Sequence, residues 1–175
     1  MQIKTSFSVV IRLLLWFVML IGGAVYSLAK DWDTPLFGNI LFHLVSVVLG
    51  IILLVLAFRA AANGGRELTK GRVGDIPRME TNQLVTTGIY SCMRHPMLFG
   101  LTLLPLGWAL LLGSPTFIML VAPLEMVFII VMVLIFEEME VSKKFDKAYA
   151  AYRKKVPMVS FEKKCILQLF KKGKK

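Results

Sequence analysis

Leu84-Val85-Thr86-Thr87-Gly88-Ile89-Tyr90-Ser91-Cys92-Met93-Arg94-His95-Pro96-Met97-Leu98-Phe99-Gly100 is the stretch where a polar, basic segment turns apolar. It holds one of the two histidines of the chain, and a proline follows that histidine. The proline ring fixes φ and removes a donor that a first helical turn leaves unpaired, so Pro96 reads as the first residue of a helix. His95, biased to extended backbone by the proline, falls where an N-cap belongs. Gly88 permits a tight turn that returns Ile89 and Tyr90 towards that helix end. The expected product is a helix N-terminus with free N–H groups, ringed by Arg94, His95 and Tyr90. Such an end suits a carboxylate or a phosphate.

The surrounding chain is 175 residues long and 57% hydrophobic, with a mean hydropathy of +0.69. Its apolar residues come in long runs rather than at amphipathic spacing. That describes an all-α integral membrane protein of about four transmembrane helices, followed by a cytoplasmic amphipathic helix and a short interfacial C-terminal helix. The formal charge of +10 does not imply nucleic acid, because the basic residues flank apolar spans and form no stripe interleaved with aromatics. Cys92 and Cys165 have no paired spacing. Together with two scattered histidines they are expected to give neither a metal site nor a disulfide framework.

Taken in order, residues 7–29 form a first span, with Arg12 placed to snorkel to the interface. A cleaved signal peptide ending at Ser27-Leu28-Ala29 is the rival reading of the same residues, and it stays open. Residues 36–61 form a second span containing His43, either a functional intramembrane group or one bonded to a neighbour at the interface. Asn63-Gly64-Gly65 reads as a break that opens a long polar connector over 62–95. Residues 96–112 make a short third span, and Gly113-Ser114-Pro115 a tight hairpin turn. The fourth span, 116–136, carries Pro123, expected to kink it, and Glu125 near its middle. Beyond it Val141, Phe145, Ala148, Tyr149, Tyr152 and Val156 fall on one face of a single helix ended by Pro157. Ser160 caps a last helix whose apolar residues Phe161, Cys165, Ile166, Leu169 and Phe170 are flanked by Lys163, Lys164, Lys171 and Lys172. That composition suits an anionic headgroup layer. The chain thus divides into two N-terminal spans (1–62), a connector, hairpin and amphipathic helix (63–157), and a basic tail (158–175).

Of 21 Lys and Arg, only Lys30 falls on the side reached after the first span. The positive-inside rule places the N-terminus, the connector and the tail in the cytoplasm, whether of a bacterial inner membrane or of the endoplasmic reticulum. The hairpin then brings His95-Pro96 and Glu137-Glu138 to the same face. The acidic run Glu137, Glu138, Glu140 is either the first turn of a surface helix stabilised by its dipole or part of a site. A helix N-terminus with Arg94, His95, Tyr90 and these carboxylates matches a zwitterion or a sulfonium.

The order Leu-Val-x-x-Gly-Ile-Tyr-x-x-x-Arg-His-Pro-Met, helical hairpin, Glu-Glu, then Phe-x-x-x-Tyr-x-x-Tyr-x-x-x-Val-Pro resembles the isoprenylcysteine carboxyl methyltransferase and phospholipid methyltransferase superfamily, over roughly residues 75–157. The resemblance implies a membrane-embedded S-adenosylmethionine site outside any Rossmann fold, consistent with the lack of a GxGxxG motif. By motif the cofactor would contact Leu84, Val85, Tyr90, His95, Pro96, Met97, Leu98 and Glu137, with Arg94 and Glu138 added by proximity. His95 is the candidate base, Arg94 its companion, and His43 and Glu125 candidate linings of an acceptor path. The acceptor would be a membrane lipid, isoprenylcysteine-like or phospholipid-like, or a small molecule. Two departures, no arginine shortly before the glutamates and Met97-Leu98 where tyrosine is frequent, bear on the acceptor more than on the cofactor. The competing readings are a non-catalytic small membrane protein or transporter subunit, and an NADPH-dependent enzyme similar to sterol reductases.

Overall fold

The computed structural model describes residues 2–75 and 81–170, and no strand occurs among the described residues. Helices α1 (Gln2–Asp31), α2 (Ile40–Thr69) and α3 (Pro96–Leu112) come first, with a 3₁₀ turn at Gly88–Ser91 before α3. One long helix, Phe117–Lys155, follows. It contains α4 (Ala122–Met132) and α5 (Glu138–Lys155), with π-helical turns at Phe117–Val121 and Val133–Glu137. Helix α6 (Lys163–Phe170) ends the described chain. Three of these helices are long and apolar enough to cross a membrane, and Pro96–Leu112 is a shorter apolar one. At 1.5 Å per residue the 17 residues of α3 reach ~25 Å, a little under the ~30 Å hydrocarbon core. The long helix has 39 residues, about twice what a crossing needs. Up to Phe136 its only charged residue is Glu125, whereas Glu137 onward is dense in charge. The crossing part therefore ends before Glu137.

The chain forms two compact units, Met1–Leu54 with Leu104–Phe128, and Val55–Leu103 with Ile129–Lys175. In the first, Ala24, Ala109, Phe117 and Ala122 are the buried core. Gly50 and Gly107 let α2 and α3 touch backbone to backbone: a Cβ on Gly50 would lie 2.9 Å from the Gly107 carbonyl. Small residues are the usual means of such an approach inside a membrane. The predicted hairpin turn is present, with Gly113 at φ 63°. Asp31 at the end of α1 closes it. Its carboxylate accepts from Ser114 Oγ at 2.5 Å, Thr116 N at 2.9 Å and Thr116 Oγ1 at 2.5 Å, capping the following helix from another one. The π turn at Phe117–Val121 lies just before Pro123, whose ring would clash with the carbonyl four residues back in a straight α-helix.

The second unit corrects three expectations. Asn63-Gly64-Gly65 does not break α2, which continues to Thr69. Tertiary packing overrides the glycines: Gly64 faces Pro96 and Met97 with no room for a side chain, and Asn63 donates to the Leu169 carbonyl. Cys92 and Cys165, read as unpaired, form a disulfide with a Cα–Cα distance of 5.6 Å. The 3₁₀ turn and α6 meet there, in a core of Ala60, Ile89, Tyr90, Met93, Phe99 and Leu169. Spacing in sequence carries no information on this pair, because 73 residues separate the two.

The third correction concerns α5. Its residues do not form one continuous amphipathic face, because the chain kinks at Asp146 (φ 38°, ψ −117°). Tyr149, Tyr152 and Glu138 are buried, while Ala148 is exposed. The geometry requires the break. On a straight helix residue 149 would lie ~16 Å along the axis from residue 138 and residue 153 ~22 Å, beyond the reach of their side chains. Yet Tyr149 and Arg153 both approach the Glu138 carboxylate. The segment after Asp146 turns back towards Glu138.

Candidate active site

Three pieces of the second unit converge on Glu138. Pro96 starts α3 as expected and presents Arg94 and His95 just before it. Both are tied down by main-chain bonds: Arg94 N donates to the Pro157 carbonyl at 2.9 Å and His95 N to that of Met158 at 3.1 Å. The π turn at Val133–Glu137 shifts the helical register immediately before Glu138. Such turns commonly mark functional positions in a helix. The fold-back after Asp146 supplies Tyr149, Tyr152 and Arg153. Tyr152 Oη donates to the Tyr90 carbonyl at 2.5 Å, fixing the returning segment to the 3₁₀ turn.

Oε1 of Glu138 accepts from Arg94 Nη1 at 2.5 Å, His95 Nε2 at 2.7 Å and Tyr149 Oη at 2.7 Å. The Arg94 and Glu138 side chains are 9% and 7% exposed, so this is a buried ion pair. Burial alone would raise the Glu138 carboxyl. The hydrogen bonds from Tyr149 and His95 and the charge of Arg94 outweigh it and hold the group below the ordinary carboxylate range. A carboxylate only accepts, so His95 Nε2 carries the hydrogen and any basic lone pair of the ring is on Nδ1. That atom lies 3.8 Å from the half-exposed Glu137 carboxylate. Burial and the bond to Glu138 push the Tyr149 phenol up to about 12, and burial pushes that of Tyr90 up as well. Both stay neutral near pH 7. Tyr149 is thus a donor to Glu138 and not an anion beside it.

Two polar atoms in this cluster are buried without a hydrogen-bond partner among the described residues: Arg94 Nε and Glu138 Oε2. Arg153 Nη1 stands 3.7 Å from Oε2, too far to bond it. Native proteins leave few such groups, and these two share one site.

Arg94, His95, Tyr90, Glu137 and Glu138 all belong to this unit, and the first two meet Glu138 directly. Leu84 and Val85 are half-buried, Val85 against the unit's core. Pro96 and Leu98 turn their side chains into the interior, while Met97 is 40% exposed. His43 and Glu125 belong to the other unit. His43 Nε2 bonds the Phe37 carbonyl at 2.5 Å, and its ring packs against Phe37 and Phe42. Glu125 is 1% exposed, and neither of its oxygens has a hydrogen-bond partner among the described residues. Residue spacing did not single out Arg153 or the carbonyls of Pro157 and Met158. The Tyr-x-x-Tyr-x-x-x-Val-Pro pattern was the available signal for this segment.

The phospholipid methyltransferase family model matches residues 41–148. The chain belongs to that family. It is a multi-pass membrane protein of methyltransferase type, and the match takes in Arg94, His95 and Glu138 while ending just before Tyr149. No curated protein and no solved structure matches the chain.

Proposed function

We propose that this protein transfers a methyl group from S-adenosylmethionine to a membrane-associated acceptor at the Arg94–His95–Glu138 cluster. The family is generally dependent on that cofactor, and the residues present fit it. Arg94 Nε is a buried donor lacking a partner among the described residues. Glu137 is a half-exposed carboxylate beside His95. They offer one donor for a carboxylate and one acceptor for an ammonium or sulfonium. The observation that carries the reading is the triple coordination of Glu138 Oε1, which holds Arg94 and His95 in a single arrangement.

Bound, the cofactor supplies an electrophilic methyl on a positively charged sulfur. The protein's part is to align acceptor and methyl and to exclude water. Arg94, Glu137 and the start of α3 would hold the cofactor's charged end, with Tyr90, Leu84, Val85 and Met97 beside it. Glu138 positions Arg94 and His95. An acceptor that must lose a proton would lose it to His95 Nδ1, the one lone pair that the Glu138 bond leaves on the ring. The charge bias supports a site on the cytoplasmic side. Helix α6, with exposed Leu167, Phe170, Lys163 and Lys164, would rest in an anionic headgroup layer.

The test is equilibrium binding of S-adenosylmethionine to the purified full chain in detergent, beside Arg94→Gln and Glu137→Gln. Saturable binding weakened tenfold or more by each substitution is expected. Absence of binding by folded wild type, in detergent and again in lipid bilayers, overturns the reading.

A further inference from the structure

Glu138 has a second carboxylate oxygen that the fold leaves to something else. Oε2 is buried and unpartnered among the described residues, although the same carboxylate takes three donors on Oε1. The Glu138 side chain borders an open groove of about 190 Å3 whose other lining residues are Leu134, Met139, Ser142 and Arg153, with Oε2 just beneath its surface. That is smaller than the ~300 Å3 and upward of sites enclosing a whole small molecule. It has room for a polar head. Leu134 and Met139, 45% and 52% exposed, offer an apolar way out for a chain. Arg153 Nη1 stands 3.7 Å from the same oxygen, and its guanidinium side chain is 61% exposed, which leaves it open to a ligand. A planar fork of this kind matches a carboxylate or a phosphate bidentately.

We propose that this groove is the headgroup subsite for the methyl acceptor, with Glu138 Oε2 taking an N–H or O–H donor and Arg153 taking an adjacent anionic group. Arg153 is then the residue that sets acceptor specificity. The proposal rests on the methyltransferase reading for the word acceptor, while the groove's preference for a donor beside an anion is measurable without it.

The probes are four amphiphiles with one dodecanoyl chain, titrated into the full chain in a neutral detergent. N-dodecanoylglycine places an amide N–H beside a carboxylate, and N-dodecanoylaminomethylphosphonate places it beside a phosphonate. N-dodecanoylglycinamide removes the charge, and dodecanoyl glycolate removes the N–H. Wild type is expected to bind the first two at least tenfold tighter than either control. Arg153→Gln should remove most of that advantage, and Arg153→Lys should restore part of it. S-adenosylmethionine affinity and the thermal unfolding midpoint should stay unchanged in both variants. The tighter of the two anions identifies the natural head as carboxylate-bearing or phosphate-bearing. Equal binding of all four probes, or an Arg153→Gln effect under twofold, overturns the subsite. An equal loss of S-adenosylmethionine affinity in Arg153→Gln overturns it too, by assigning the groove to the cofactor. Failure of wild type to bind S-adenosylmethionine while it still ranks the probes as expected overturns the methyltransferase reading alone.

Discussion

Replacing Glu138 by glutamine keeps the shape of the side chain and removes its charge. Arg94, 9% exposed, is then left buried without a counter-ion, and uncoupling one partner of a buried pair costs ~3–5 kcal/mol. Glutamine still presents a carbonyl oxygen, so neutral bonds to Tyr149 and His95 can persist and the loss falls at the low end, ~3 kcal/mol. Arg153 adds almost nothing, because at 3.7 Å with a 61% exposed side chain its attraction to Glu138 is screened by solvent. Arg94→Met alone should cost a similar amount. The double substitution should cost less than the sum by ~2–3 kcal/mol, since the second change removes a charge that the first had already stranded. The assay is unfolding in mixed micelles, followed by far-ultraviolet circular dichroism because Trp16, Trp32 and Trp108 all lie in the other unit. The pH dependence provides an independent check. The folded-state carboxyl of Glu138 lies below its ordinary value, so its contribution is complete above the unfolded value of about 4.3. It is lost as the pH falls through the folded value. Wild type and Glu138→Gln should therefore converge in stability in acid and separate towards pH 7. A loss under ~1 kcal/mol at pH 7, or additivity within ~0.5 kcal/mol, would refute the account of Oε1 as the organising contact.

Two further outcomes follow from the same unit. Asp146 has φ 38°, a region where a Cβ is disfavoured. Asp146→Gly should be stabilising by up to ~1 kcal/mol, whereas Asp146→Val should cost ~1–3 kcal/mol and weaken ligand binding by misplacing Tyr149 and Arg153. Thermal unfolding with binding on the same samples reads both effects, and a Val variant as stable as wild type would exclude the fold-back. The Cys92–Cys165 bond closes a loop of 73 residues, for which chain entropy gives up to ~4 kcal/mol. Cys92→Ser with Cys165→Ser should lower stability by a few kcal/mol, and reductant should have no further effect on it. Trapping free thiols in intact cells then reports the compartment: a cytoplasmic pair is held reduced, an external one oxidised.

The motif around Arg94-His95-Pro96 was legible because its chemistry is local. A proline at a helix start, a glycine turn at Gly88 (φ 57°) and a cap position are properties of neighbouring residues, and α3 begins where they place it. The apolar runs were legible for the same reason, since crossing a bilayer demands length and composition and little else. Hydropathy misjudged the end of α2, because polar residues beyond the apolar run remain helical where Asn63 and Gly64 pack against α6 and the start of α3. Contacts of that kind join residues far apart in sequence, 106 positions for Asn63 and Leu169, and no periodicity records them.

The site itself was half legible, and the missing half has one cause. Periodicity assigns residues to faces only while the helix keeps a constant turn, and this helix abandons it twice between Val133 and Tyr149. The π turn at Val133–Glu137 rotates everything after it relative to the spanning part. The kink at Asp146 then turns the chain back towards Glu138. With 3.6 residues per turn, Tyr149 and Tyr152 fall on one face with Val141 and Phe145, pointing at a core. With the break, the two tyrosines leave that face: Tyr149 donates to Glu138, and Tyr152 clasps the Tyr90 carbonyl. Arg153, which on a straight helix is one more basic residue in a charged last turn, comes to stand near the second oxygen of the Glu138 carboxylate. The irregularities therefore build the site from a sequence whose regular reading is a surface helix. Straightening Asp146 would return these residues to that reading and dissolve the groove with it.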